Sequence, residues 1–549
     1  MLRRLASLAF LVCLLSPAFA GPALAAASAS SAPAVLSVGV LGSPGSLNPV
    51  LYTSPAAADV LAATSDGLLR YRPVGTGRRL RYTWRPDLLS SLPQINIVGV
   101  PGPTADVTIT YRLRPGLRWS DGKPLTSSDI RFTWHAIMAP ANGAYQAGYN
   151  QITAIDTPNR LTAVVHLRGT FAAWQTLFSA LLPRHALQRR VGSIVTDVSY
   201  NDHPLATGPY AVHSHSQNTL VLVPNPYYRG QDGPRPAFKA ISVTFYRHRS
   251  SLLADLAAHK LAVGDLLTLD TATIHQLRSA GLSVASAPST VFEQFTFNLR
   301  DPIAGDLSVR RAFYLALARQ KMATQISGGR WRVATSDQPP WSWAFNPKVP
   351  VVHQNIAKAR AILVQDGWQI GKAGYFQKNG QLLVLNVSLT RTPLHKAIMK
   401  LVSAEEAQAG IDVLPVYFPT QALFGPNGML AQGTFQVSEF GLMDNLDPDD
   451  AAIWNSDLGS PYHEGDDFSN FQNPSVNAWT TDALRQMNQT LRARDYRQVQ
   501  MQLYSDLPMV PLFYTSMETV YDPTRVRHVS VSSFTGSLFS ASAWRPPAK

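Results

Sequence analysis

With 549 residues, 45% of them hydrophobic, and with 11 Trp, 22 Phe and 19 Tyr, the chain carries too much buriable surface to be intrinsically disordered. Its length predicts about three folding units, and 40 Pro with 35 Gly favour a mixed α/β protein over a helical bundle. The formal net charge of +13 has no compact basic tract behind it beyond pieces such as Arg78-Arg79 and Arg189-Arg190; it reads as a solvated surface that could steer anionic ligands and argues against nucleic acid as a partner.

The first element in chain order is a targeting segment. Arg3 and Arg4 precede an apolar run from Leu5 to Leu15, Ser16-Pro17 breaks it, and Ala18-Phe19-Ala20 and Ala23-Leu24-Ala25 offer small-residue cleavage sites. The run is shorter than the roughly 20 residues needed to span a bilayer, so residues 1–25 are expected to be a cleaved signal peptide and the mature protein to be periplasmic. The only cysteine, Cys13, lies inside the apolar run rather than at a small-residue boundary. No lipid anchor is therefore expected, and the mature chain has no disulfide, thiolate metal site or cysteine nucleophile.

Val35 to Val40 predicts a first strand, followed by a Gly/Pro loop from Leu41 to Pro49 and a helix over Ala56 to Leu69. Val107 to Leu113 alternates with period two and predicts a half-buried strand; Thr126 to Ala136 opens with capping residues ahead of Ile130, Phe132 and Trp134 and predicts a helix. Strands are predicted over Leu161 to Leu167, Thr219 to Val223 and Ile241 to Tyr246, and a helix over Leu252 to Leu261. From Phe295 to Asn298 the pattern restarts as a strand, then helix Val309 to Ala323, a Pro/Trp-rich loop from Gln338 to Phe345, and helix Ile356 to Asp366 stopped by Gly367. Strand Leu382 to Leu389, helix Leu394 to Ala409 and strand Ile411 to Val416 complete an alternation that argues for a second α/β domain.

The motifs of common enzymes are missing. There is no Gly-x-Ser-x-Gly elbow, phosphate loop or His-Glu-x-x-His helix. His213-x-His215 could chelate from one strand face but has no third ligand nearby, so it reads as a surface pair; His463-Glu464-Gly465-Asp466-Asp467 lacks calcium-loop spacing and reads as a solvated loop. No cofactor and no metal is expected. In Phe440 to Asp450, the bland reading is an acidic turn in which Asp449 or Asp450 caps a helix starting near Ala451.

Tyr111-Arg112-Leu113-Arg114-Pro115-Gly116-Leu117-Arg118-Trp119-Ser120-Asp121-Gly122-Lys123-Pro124-Leu125-Thr126, running on to Trp134, is the most informative segment. Gly45-Ser46-Leu47-Asn48-Pro49, Leu181 to His185, Ala206-Thr207-Gly208-Pro209-Tyr210, Asn225-Pro226-Tyr227-Tyr228, Phe297-Asn298 and Val309 to Phe313 follow the same family order. Together they resemble the peptide/nickel class (family 5) of substrate-binding proteins of ABC importers, from about Val38 to about Pro511. Most of these motifs are turn chemistry, in which Pro fixes φ, Gly permits positive φ and Asp bonds its own backbone. They identify a scaffold without marking the site.

The resemblance implies an α/β, bilobal periplasmic-binding-protein-like fold: lobe I over residues 34–289 with an inserted subdomain at about 71–200, lobe II over 290–513, and residues 514–549 returning to lobe I. Two crossing segments would form a hinge. It implies a monomeric, non-enzymatic protein that captures peptides, by pairing their backbone with strand edges, and hands them to importer permease subunits in the membrane. Nickel chelates, oligosaccharides or opines are alternatives in the same fold; a peptide sensor or chaperone and a hydrolase are alternatives outside importer function. Carried over from the family's peptide binders, Asp444 would pair with the peptide α-ammonium, with Asp447-Pro448 as the turn; Asp447 takes the role if the alignment shifts by three residues. Gly441 stands where those binders often carry Trp, which leaves the ligand class open. Met443, Tyr52 and Asn298 complete the candidate ligand contacts, with Trp341 and Trp343 as either packing anchors or a stacking wall.

Overall fold

The computed structural model describes residues 35–74, 81–229, 235–425, 427–443, 447–449, 451–457 and 467–547. Residues 1–34, which carry the signal-like segment, Asp444, and residues 458–466 lie outside that set. An 11-stranded sheet forms the frame. From one edge it runs Asp412–Phe418, Val384–Thr390, Val437–Met443, Ser283–Phe297, Met509–Tyr521, Val263–Leu267, Leu36–Leu41, Ile241–Tyr246, Thr219–Pro224 and Tyr210–His215, with Arg332–Val333 pairing off this path. The two longest strands, Ser283–Phe297 and Met509–Tyr521, are antiparallel neighbours at the centre, and all the other strands lie to one side or the other of them.

Each side buries its own core, because alternate residues of the strands face helices packed on the sheet. On one side Val38, Val40, Ile241 and Val243 pack with Ala57 and Val60 of helix Pro55–Thr64 and with Leu538 and Trp544 from the chain's end. On the other, Leu385, Val387, Val413 and Phe295 pack against Ile398 and Val402 of helix Pro393–Ala409 and Phe313 of helix Leu307–Ala316. A separate four-stranded sheet, Gln94–Val98, Asp106–Arg112, Thr162–Arg168 and Ile152–Asn159, carries a third core around Ile109, Tyr111, Trp119 and Ile130.

The turn motifs do the local work expected of them. Asp121 accepts from the Lys123 amide while Gly122 takes φ +83°, and Asp129 reaches back to the Thr126 amide at 2.7 Å to close a capping box on helix Ser127–Met138. Thr207 accepts from the buried amide of Asp66 at 2.7 Å, tying the Thr-Gly-Pro-Tyr corner to the end of the first helix. The first helix stops at Thr64, short of the predicted Leu69, since Leu69 already starts the strand Leu69–Val74. The predicted helix Val309 to Ala323 is two helices, Leu307–Ala316 and Arg319–Ser327. The Ala318 amide turns out to donate to Glu405 at 2.7 Å, and the buried Arg319 guanidinium donates to the carbonyls of Ala334, Pro511 and Val352. That tertiary network outweighs local helix propensity.

Candidate ligand cleft

Two strands rich in aromatic and basic residues, Leu69–Val74 and Arg81–Pro86, pair as a hairpin with Tyr71 opposite Trp84. The period of two puts rings on one face and cations within reach of the rim. Tyr71 stacks on Tyr82 at 5.2 Å, and Phe534, from the segment that returns after the second long strand, meets Tyr82 edge-on at 5.1 Å. Leu69, Tyr71, Trp84, Phe534 and Phe539 line a cavity of about 250 Å³. A second cavity, of about 270 Å³, is lined by Pro288 and Ser516 of the two long strands, Trp341, and the cations Arg81, Arg330 and Arg332.

Trp341, in the wall of the second cavity, packs on two rings in the wall of the first. Its ring stands 5.4 Å from Tyr82 and 5.4 Å from Phe534, edge to face in both cases. The Tyr82 hydroxyl is fixed by Ser533 at 2.5 Å. Arg330 sits 3.3 Å from the buried Glu518 and donates to the Leu269 carbonyl, so its guanidinium is oriented from behind. Burial pushes the Glu518 carboxyl up, against the opposing pull of Ser516 and Arg330. The arrangement offers aromatic faces for apolar groups and guanidinium forks for carboxylates.

The other candidate residues are placed as follows. Trp343 packs away from these cavities, on Tyr496 at 5.9 Å and under the Arg492 guanidinium at 5.1 Å. Asn298 is buried, donating to the carbonyls of Gly433 and Phe435 and accepting from Arg300 and Asn470, so its polar atoms are spent on holding loops. Asp447 is also buried, and both its oxygens receive bonds from Arg492, an internal counter-charge in place of a ligand ammonium. Tyr52 is exposed and lines neither cavity. Met443 is exposed at the end of strand Val437–Met443, opposite Val291. Asp444 lies just beyond, outside the described residues. Asp449 does cap Ala451, at 3.1 Å. Sequence reasoning missed Tyr71, Tyr82, Trp84, Arg330 and Phe534; the alternation of rings and arginines in residues 70–72 and 81–85 was the available signal.

The fold agrees with what comparison shows. Residues 101–463 match the family model described as "Bacterial extracellular solute-binding proteins, family 5 Middle", two thirds of the chain, and the chain belongs to that family. Protein XP55 of Streptomyces lividans is 26% identical over 492 residues, covering 85% of this chain and 81% of that protein. The oligopeptide-binding protein AppA of Bacillus subtilis is 22% identical over 499 residues, covering 87% and 86%. Its structure in complex with a nonapeptide superposes with a TM-score of 0.67 at 20% identity, covering 94% of this chain and 99% of that one. NikZ of Campylobacter jejuni, solved with Ni(L-His), gives 0.72 at 20% identity, covering 93% and 99%. At these identities the solved structures establish the bilobal fold.

Proposed function

We propose that this chain is the extracytoplasmic binding subunit of an ABC importer and that its solute is a peptide. Residues 1–25 direct export and are removed, and the mature protein carries no lipid. The observation that carries the reading is the pair of cavities on either side of the contact of Trp341 with Tyr82 and Phe534, the first walled mainly by rings and the second carrying Arg81, Arg330 and Arg332. Apolar side chains of a peptide fit the first cavity and its carboxylate fits the second. Its α-ammonium reaches Asp444. Ser283–Phe297 and Met509–Tyr521 act as the hinge, since among the described strands they alone run through both halves of the sheet and their mutual register breaks between Pro288 and Phe292. The same arginines would also accept the carboxylates of a metal chelate, which is the second reading.

Binding of free-amine and N-acetylated peptides to wild type and Asp444→Ala tests the proposal. A charge-assisted bond of about 1.5–3 kcal/mol predicts at least roughly tenfold weaker binding of free-amine peptides by the variant. N-acetylated peptides should bind wild type weakly and lose little more. Equal affinities throughout would remove Asp444 from the site, and a chelate recovered with the native protein in place of peptide would favour the second reading.

A further inference from the structure

Away from the aromatic cavities, three side chains converge on the second core. Glu293 and Glu439 stand on neighbouring antiparallel strands, where Glu293 pairs with Gly441 and Glu439 with Phe295. His395 lies in the first turn of helix Pro393–Ala409, at the carboxyl end of strand Val384–Thr390. One ligand atom from each of the three lies within 4.8 Å of the others. Glu439 is fully buried and Glu293 is 5% exposed; the two carboxyls lie within hydrogen-bond reach of each other, and no donor from any other described residue serves Glu439 or Glu293 Oε2. Among the described residues no lysine or arginine forms an ion pair with either; the nearest cation-forming atom is His395 Nε2, 3.9 Å from Glu439.

The histidine is oriented as a ligand. His395 Nδ1 is 2.8 Å from the Thr390 carbonyl, an acceptor only, so Nδ1 carries the proton and the Nε2 lone pair faces the carboxylates. A backbone carbonyl behind the ring is the usual partner of a metal-bound imidazole, because it fixes the tautomer. Gly441, beside the cluster, is exposed, and a Cβ there would stand 3.1 Å from Glu293 Oε1.

We propose that Glu293, Glu439 and His395 form a divalent transition-metal site between the neighbouring strands Ser283–Phe297 and Val437–Met443 and the first turn of helix Pro393–Ala409, outside the two cavities described above. Two carboxylates and one imidazole suit zinc or a neighbouring first-row ion, with a fourth position left open. At metal–ligand distances of about 2.1 Å, tetrahedral ligand atoms stand about 3.4 Å apart, so the three side chains close inward around the ion. A bound dication would supply the counter-charge that both carboxyls now lack.

The test uses full-length, tag-free protein stripped with a chelator and titrated with zinc alone, read by calorimetry and native mass spectrometry. Wild type should take up one zinc per chain and melt at a higher temperature with it. Glu439→Gln and His395→Gln should each bind at least about tenfold more weakly and lose the thermal shift. A His213→Ala/His215→Ala variant should bind as wild type. Absence of stoichiometric zinc, binding undiminished in folded Glu439→Gln, or loss of zinc only in the His213/His215 variant would overturn the site. None of these readouts depends on which solute the cleft takes, so this inference and the peptide reading can fail separately.

Discussion

Arg492 has more partners than any other guanidinium described above. Besides Asp447 it donates to the carbonyls of Ala483 and Ala172 at 3.0 Å each and to the Tyr496 hydroxyl at 3.1 Å, with Trp343 against its face. Ala172 follows the four-stranded sheet, whereas Ala483 and Tyr496 belong to helices Pro474–Arg485 and Gln489–Asp506, so one side chain links two separate parts of the molecule. Removing one partner of a buried ion pair leaves the other charge uncompensated, at a cost of about 3–5 kcal/mol. Asp447→Ala should lose that much stability in denaturant unfolding, and Asp447→Asn less, since its amide oxygen still accepts from the guanidinium. A variant as stable as wild type would show that Asp447 is not a structural anchor. Sequence spacing placed Asp447 in an acidic turn beside Pro448, but nothing local could reveal Arg492, 45 positions away. Asn298 was obscured for the same reason, since its partners Gly433 and Phe435 are more remote still, 135 and 137 positions away.

At the scale of elements, a pair of buried aspartates clamps the chain's end to its beginning. Asp59, in helix Pro55–Thr64, accepts from the Leu538 amide at 3.0 Å. Asp265, in strand Val263–Leu267, accepts from the Ser537 amide and from Thr519. Burial, and then the neighbouring Asp265, raise the Asp59 pKa well above the ordinary carboxylate range. The folded protein therefore keeps a proton that the unfolded chain releases from about pH 4 upward. The stability tied to that proton is full below pH ~4 and is lost as pH rises toward the folded-state pKa. Asp59→Asn keeps the acceptor for Leu538 and offers Asp265 an amide donor, without a proton to lose. Unfolding free energies at pH 5 and pH 8 should fall less for the variant than for wild type, by up to about 1.4 kcal/mol per pH unit; parallel declines would show that the pair does not hold a proton.

The alternating strands and capped helices at this scale were legible because period and caps are local. Val107 to Leu113, Ile241 to Tyr246 and Leu394 to Ala409 match the structure to within a residue or two. Of the 15-residue strand Ser283–Phe297 only the last three positions stood out. Apart from Val284, residues 283–290 are Ser, Ala, Pro and Thr, whose strand state comes from pairing with Met509–Tyr521 rather than from their own pattern. The cleft was less legible still. Trp341 drew attention, but its partners Tyr82 and Phe534 come from opposite ends of the chain, and only the fold brings them together.

For the whole molecule, the proposed hinge makes closure the expected response to solute. A saturating peptide should reduce the radius of gyration in small-angle scattering and raise the melting temperature, as binding to the native state alone requires. Unchanged scattering at saturation would count against hinge motion. The return of the chain after Tyr521 adds a practical consequence. Leu36 and Trp544 are packed in the same core, so the first and last described segments ride on one half of the protein. Dyes attached near residues 35 and 547 should hold a constant separation and stay silent to closure. Moving one of them to Val364, 60% exposed on helix Ile356–Gln365 of the other half, turns the pair into a reporter. By the same geometry, fixing the protein to a surface through either end immobilises a single lobe and leaves its counterpart free to swing.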